Sequence, residues 1–305
     1  MTILKPRPLP NLKTVTLGGQ QFWQDRDIHA GWRIQENILT GHCRLLDPEN
    51  KRIAWGHYKT CTSGLEKIRH NPRIHQLSRH AVLLIHGIGP SPRPFKKMQS
   101  ALAEAGFEAI PVHYPSTFNT IECHARSLTG LLNRIEGIDQ VSFVTHSMGG
   151  LVLCEALSCE PYWRENIRIN RTVMIAPPNQ GSVMAGLLKN VPLYQFLYGE
   201  PGQQLTPRAA RKRPEFPDIP LMIIAGGKQN RHGFNPFLQG DNDGMVKVSE
   251  TRLGDIKPSV IIPALHATLC KHPETIRHTL NFLKLGKSPP RTNSYTLSQT
   301  ADETR

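Results

Sequence analysis

The chain changes its hydrophobic rhythm partway along. From Trp23 to about Tyr58, short polar–apolar alternations are broken by turn signals: GWRIQENIL, HCRLLD, the turn DPEN, then RIAWGHY. A period of two sends side chains alternately to opposite faces, which predicts a small antiparallel meander or the opening strands of a mixed sheet. The following SGLEKIRHNPRIHQLSR reads as a modest helix or loop. Beyond it, apolar runs of buried-strand type alternate with amphipathic helices. AVLLIHG (81–87), FEAIPVHYP (107–115), QVSFVTHS (140–147), RTVMIAPP (171–178), LMIIAGG (221–227) and SVIIPALH (259–266) are the strand-like runs. FKKMQSALAEAG (95–106) and IECHARSLTGLLNRIEG (121–137) have helical spacing, MGGLVLCEALS opens a helix directly at a strand's end, and a last helix runs from about His272 to Leu285. Gly106 and Gly286 stand where helix C-termini favour glycine. Continuous apolar strands separated by helices imply a mostly parallel sheet covered on both faces.

Two long excursions interrupt this rhythm, at 179–218 and 228–245, and long loops at the carboxyl ends of parallel strands are where such sheets build sites. In the first, Met184, Leu187, Leu188, Val191, Leu193, Phe196 and Leu197 fall near helical spacing. That pattern predicts either a helical pair packed on the body or a lid whose apolar face covers an acyl pocket and meets lipid. In the lid reading, Arg208, Arg211, Lys212 and Arg213 sit near anionic headgroups. The chain thus divides into an N-terminal extension with edge strands (1–79), a main α/β domain (80–285) with a cap or lid insertion (179–218), and a polar tail expected to be disordered (286–305). Residues 1–20, rich in Pro, Gly and Lys, read as an irregular lead-in.

Composition narrows the partners. The formal net charge is +13 over 305 residues, which favours anionic surfaces. The basic residues are spread along the chain without a helix-turn-helix, RRM or zinc-finger signature, so no nucleic acid is expected. A solvated basic face is the plain reading, and peripheral contact with anionic phospholipid is the alternative. Cysteines 43, 61, 123, 154, 159 and 270 lack both metal-site spacing and the clustering of a disulfide scaffold. They read as buried thiols of a cytoplasmic protein. No stretch suits a spanning helix or a secretory signal.

The chemistry concentrates at Thr145-His146-Ser147-Met148-Gly149-Gly150, where an apolar strand meets an apolar helix. A serine exposed on a strand-to-helix turn needs small neighbours because the turn crowds the backbone. Gly149 meets that need; Thr145 stands where glycine is usual. Serine requires a base, itself oriented by an acid, and in this architecture they follow in the order Ser, Asp or Glu, His. His266, ending its strand, is the expected base, with His272 as runner-up; His146 reads as structural support. Asp243 in the run Gly240–Val246 is the expected acid, with Asp241, Glu250 and Asp255 as alternatives. Backbone N–H groups of Met148 and of Ile88, in His86-Gly87-Ile88-Gly89-Pro90, are the expected oxyanion donors.

LLIHGIG, THSMGG, APPNQGS, NDGMV and a histidine followed by a helix ending in NFL resemble the α/β-hydrolase superfamily, and within it the bacterial triacylglycerol lipase and esterase group. The resemblance covers roughly residues 80 to 285. It implies an α/β-hydrolase fold, a Ser147–Asp243–His266 triad and no cofactor or metal. The expected activity is hydrolysis of a carboxylic ester on an acyl-ester or lipid substrate. An acyltransferase, an amidase or thioesterase, or a non-catalytic docking module are the alternatives.

Overall fold

The computed structural model describes residues 16, 22–74, 79–89, 91–158, 165–210 and 216–286. The expectations for the lead-in (Thr16 apart), Pro90, Cys159, Arg211, Lys212, Arg213 and the tail beyond Gly286 lie outside the described residues.

The early alternation folds into β1 (Trp23–His29), β2 (Trp32–Asn37), β3 (Cys43–Leu46) and β4 (Arg52–Gly56), paired antiparallel in chain order. One face, carrying Ile34, Cys43 and Leu45, is closed by Cys61 and Leu65 of α1 (Tyr58–Arg69). The opposite face is charged and yet buried. Asp25 accepts from Arg33 Nη1 at 3.0 Å and from Gln35 Nε2 at 2.9 Å, and Gln35 Oε1 accepts from Arg44 Nη2 at 2.8 Å. Burial pushes the Asp25 carboxyl up, against the pull of Arg33.

These strands do not extend the main sheet as edge strands; they form the separate meander. The physical reason lies in the main sheet's outer strand, β6 (Glu108–Val112), where Pro111 has no N–H to offer a further neighbour. The meander meets that edge through isolated contacts: Asp25 N–H donates to His113 O at 2.9 Å, and His113 N–H donates to Asp25 Oδ2 at 2.8 Å.

The main sheet has six strands, all pairs parallel, adding β5 (His80–Ile85), β7 (Gln140–His146), β8 (Arg168–Ile175), β9 (Leu221–Gly226) and β10 (Val260–Ile262), in the order β10-β9-β8-β7-β5-β6. Its strands are apolar on both sides because helices cover both faces. Leu83, Ile85, Phe143 and Met174 pack beneath α3 (Ile121–Leu132) and α4 (Met148–Ser158). Val82, Leu84, Val144 and Ile175 pack beneath α2 (Lys96–Glu104) and α8 (Pro273–Leu285). Leu83 and Leu84 are fully buried, so truncating either to alanine costs about 2–5 kcal/mol. Local signals bound the helices: the Thr120 hydroxyl accepts from Cys123 N–H to start α3, and Gly286, in the left-handed region at φ +68°, ends α8.

The excursion at 179–218 forms α5 (Val183–Leu188), α6 (Pro192–Gln204) and α7 (Pro207–Ala210). Its apolar residues divide between two surfaces. Ala185, Tyr194 and Leu205 are buried against the core, whereas Leu187, Val191, Leu193 and Phe196 face solvent, Phe196 being 85% exposed. Gln204 pins α6 to the body, its Oε1 accepting from Ile121 N–H at 2.6 Å. Among the described residues no helix is long and apolar enough to cross a membrane. The five described cysteines are thiols; Cys123 is partly exposed and the other four are buried.

Strand order fixes where a site can form. The chain steps outward from β5 to β6, then crosses back to β7 and continues through β8 to β10. Connections therefore diverge between β5 and β7, opening a crevice beyond their carboxyl ends.

Candidate active site

Ser147 sits in that crevice, between the last residue of β7 and the first of α4. Its φ of +51° is a left-handed conformation that costs a non-glycine residue energy and turns the side chain outward from the sheet. The backbone holds it there: Ser147 N–H donates to Ile175 O at 2.9 Å. The tightness of the turn explains Gly149, since a Cβ there would stand 2.3 Å from Ile85 O. Thr145, the departure from glycine, is fully buried, and its Oγ1 lies 3.3 Å from where a Cβ on residue 150 would be. Gly150 thus leaves the space that Thr145 uses.

His266 begins a short 3-10 turn (His266–Lys271) just after β10. Its Nε2 is 3.0 Å from Ser147 Oγ and its Nδ1 is 2.6 Å from Asp243 Oδ2. A carboxylate only accepts, so Nδ1 carries the proton and Nε2 is left to accept from the serine hydroxyl. Asp243 is 1% exposed, and its other oxygen accepts from Met245 N–H at 3.0 Å and Val246 N–H at 2.7 Å. A backbone bond from His266 N–H to Asp243 O, 2.9 Å, ties the two segments together. Gly226, at the end of β9, lets this aspartate in: a Cβ there would meet Asp243 Cβ at 2.7 Å.

The alternatives go elsewhere. Asp241 accepts from the N–H groups of Lys228, Gln229 and Asn242, bracing its own loop. Glu250 accepts from Lys247 N–H and Val183 N–H, both at 2.9 Å, and so joins the Asp243 loop to the start of α5. Asp255 is exposed, and His272 caps α8, accepting from Glu274 N–H. His146 is buried with its Nε2 3.2 Å from His266 O, where the N–H donates, and the two rings lie 4.7 Å apart. Burial, with the neighbouring His266, holds His146 well below the usual histidine range, so it supports the ring beside it as a neutral group.

The two expected oxyanion donors belong to segments that adjoin Ser147. Met148 opens α4, so its N–H is among the first-turn donors that a helix leaves without an internal partner. The Gly87–Ile88 backbone lies against the serine, a Cβ on Gly87 reaching within 2.8 Å of Ser147 Cβ. A clamp that the motifs do not announce holds this loop. Ser116 Oγ accepts from Gly89 N–H at 3.0 Å and donates to Gly89 O at 2.7 Å, while the Tyr114 hydroxyl donates to His86 O. Tyr114 stacks on His86 at 4.4 Å. Burial pulls both His86 and His124, which edges onto Tyr114, down to about 4, so this stack is uncharged near neutrality. The only sequence signal for the clamp is a polar pair, Tyr114 and Ser116, just past the end of a strand. Among the described residues no cluster of three His, Cys, Asp or Glu side chains could hold a metal ion.

A parallel sheet covered on both faces, with a serine on a strained turn at its switch point, defines the α/β-hydrolase class. A model of the Alpha/beta hydrolase family matches residues 82–260, and the chain belongs to that family. No curated protein sequence matches it. Among solved structures, the mature lipase BlEst2 of Bacillus licheniformis is similar with a TM-score of 0.55 at 20% identity, over 67% of this chain and 91% of that one. The propeptide form of that lipase gives 0.57 at 17% identity, over 73% and 54%. The phospholipase PlaB of Legionella pneumophila gives 0.52 at 16%, over 68% and 59%. The chain thus spans little more than half of the two longer proteins. At these identities the likeness is one of fold.

Proposed function

We propose that the chain is a serine-dependent carboxylic-ester hydrolase with Ser147, His266 and Asp243 as its catalytic triad. The observation that carries this reading is the continuous hydrogen-bond path from Ser147 Oγ through His266 to Asp243, 3.0 and 2.6 Å, with the serine on its strained turn. In the proposed mechanism Ser147 Oγ attacks the ester carbonyl while His266 Nε2 takes its proton. The developing oxyanion accepts from Met148 and Ile88 N–H. The imidazolium, stabilised by Asp243, then protonates the departing alcohol, leaving an acyl-enzyme. Water, deprotonated by the same nitrogen, releases the acid.

Lipid-like esters are favoured as substrates by two features. The cap presents Leu187, Leu193 and Phe196 outward, a surface suited to meeting acyl chains. The proteins that share the fold over much of this chain include a lipase and a phospholipase. The excess of basic residues fits peripheral contact with anionic phospholipid. A panel of p-nitrophenyl esters of increasing chain length, with and without micelles, tests the reading. Turnover of some member of the panel, abolished in Ser147→Ala, is expected; a folded wild type inert to every ester would overturn it.

A further inference from the structure

A cleft of about 360 Å3, sharing no residue with the Ser147 site, opens on the meander. Strand register builds it. Trp23 pairs with Asn37 across β1 and β2, and Arg44 with Trp55 across β3 and β4. Residues directly opposite in an antiparallel pair share a face, so both indoles and the Arg44 guanidinium gather on one side of the sheet. Arg44 Cζ lies 3.8 Å from the Trp23 ring centroid, Arg52 Cζ lies 5.0 Å from that of Trp55, and the His42 ring is 4.5 Å from Trp55. Among the described residues the lining holds two arginines and a histidine but no carboxylate.

The two arginines and the histidine give the cleft a cationic lining suited to an anionic ligand, even with the Asp25 carboxylate near enough to attract Arg44. Arg44 gives its Nε–H and Nη2–H to a neutral acceptor, Gln35 Oε1, at 3.1 and 2.8 Å. Burial pulls its guanidinium down to about 10, the mark of a cation short of water. His42 Nε2 is buried and has no hydrogen-bond partner among the described residues.

We propose that this cleft binds a small phosphorylated ring or polyol. The phosphate would lie against Arg44, Arg52 and His42, and the ring's apolar face against the indoles. A guanidinium matches phosphate oxygens in geometry and charge. Indole offers a flat apolar surface beside polar groups, and the volume suits one ring with its phosphate. A free sugar phosphate and a phosphorylated lipid headgroup share this chemistry.

Isothermal titration calorimetry of the full chain tests the proposal. The probes are glucose 6-phosphate, glucose, inorganic phosphate, and phosphatidylcholine vesicles with and without phosphatidylinositol. Saturable binding of glucose 6-phosphate or of the phosphatidylinositol vesicles is expected, with glucose and phosphate alone at least about tenfold weaker. Arg52→Gln and Trp55→Leu should each weaken binding about tenfold or more while melting as wild type does. Binding to the vesicles alone identifies a lipid headgroup as the source, and binding to the sugar phosphate alone a soluble ligand. The proposal is overturned if neither binds, or if both variants bind like wild type; the arginine–tryptophan pairs then only stabilise the sheet face. Neither result bears on ester hydrolysis at Ser147.

Discussion

Replacing Asp243 by asparagine isolates what the carboxylate does from what its shape does. One side of the group is fixed by two backbone donors, Met245 N–H and Val246 N–H at 3.0 and 2.7 Å, so the amide oxygen of asparagine must stay there. Its NH2 then faces His266 Nδ1, which has to accept. The ring proton moves to Nε2, which points at Ser147 Oγ from 3.0 Å and can no longer take the serine's proton. The fold keeps its bonds while the base is lost, so kcat should fall about 10⁴-fold, roughly 5.5 kcal/mol in activation free energy. The measurement is steady-state hydrolysis of a short p-nitrophenyl ester, with a thermal melt to show that the variant folds. Asp241→Asn is the matched control: it weakens the Lys228–Gln229 turn and should leave kcat within about tenfold. If Asp243→Asn keeps a tenth of wild-type kcat, or Asp241→Asn is the inactive variant, the assigned acid is wrong.

Other consequences follow from the same geometry. Ser116→Ala removes both bonds to Gly89 and loosens the oxyanion loop; kcat should drop about tenfold with KM little changed, and a purely KM effect would contradict the clamp. Leu193→Ser combined with Phe196→Ser should lower turnover of long-chain esters in micelles more than that of acetyl esters, and equal loss on both would count against a lipid-facing cap. Stability should fall on acidification. His86 and His124 titrate near 4 in the fold but near 6.5 when unfolded, so the unfolded chain gains protons first. Each contributes up to about 3 kcal/mol above pH 6.5 that is lost as pH drops toward 4. Asp27, raised by burial to about 6, works the other way: it penalises the fold above that pH, and protonation relieves the penalty as pH falls to 3.8, offsetting part of the loss. Melts at pH 7, 6, 5 and 4 should show a falling Tm, shallower in His124→Gln; a flat profile would refute the buried-neutral assignment.

Much of the fold was readable because its signals are local. Each main strand is a continuous apolar run, and Ser147 and His266 stand at such strands' ends, so their order in the chain already places them on one side of the sheet. Contacts set by shape at a distance were not readable. Asp243 is the acid the sequence favours, but Asp241 stands two residues away with the same side chain; the room beside Gly226 and the direction of the loop bring Asp243 rather than its neighbour to His266. The Tyr114–Ser116 clamp joins residues nearly thirty apart without any periodic signature. Alternation correctly marked the strands at 23–58 but not which sheet they join, a choice decided by Pro111 on the neighbouring edge. Nor does composition show that Asp25 and Arg33 are buried on each other, since charged residues in alternation ordinarily face water.

In the proposed triad Ser147 is a nucleophile activated by His266. A fluorophosphonate probe reacts covalently with such a serine, and mass spectrometry of the digested protein locates the adduct. A single adduct on the peptide containing Ser147 is expected, absent in Ser147→Ala and strongly slowed in His266→Ala. A folded wild type that takes up no probe, or an adduct on another residue, would contradict it.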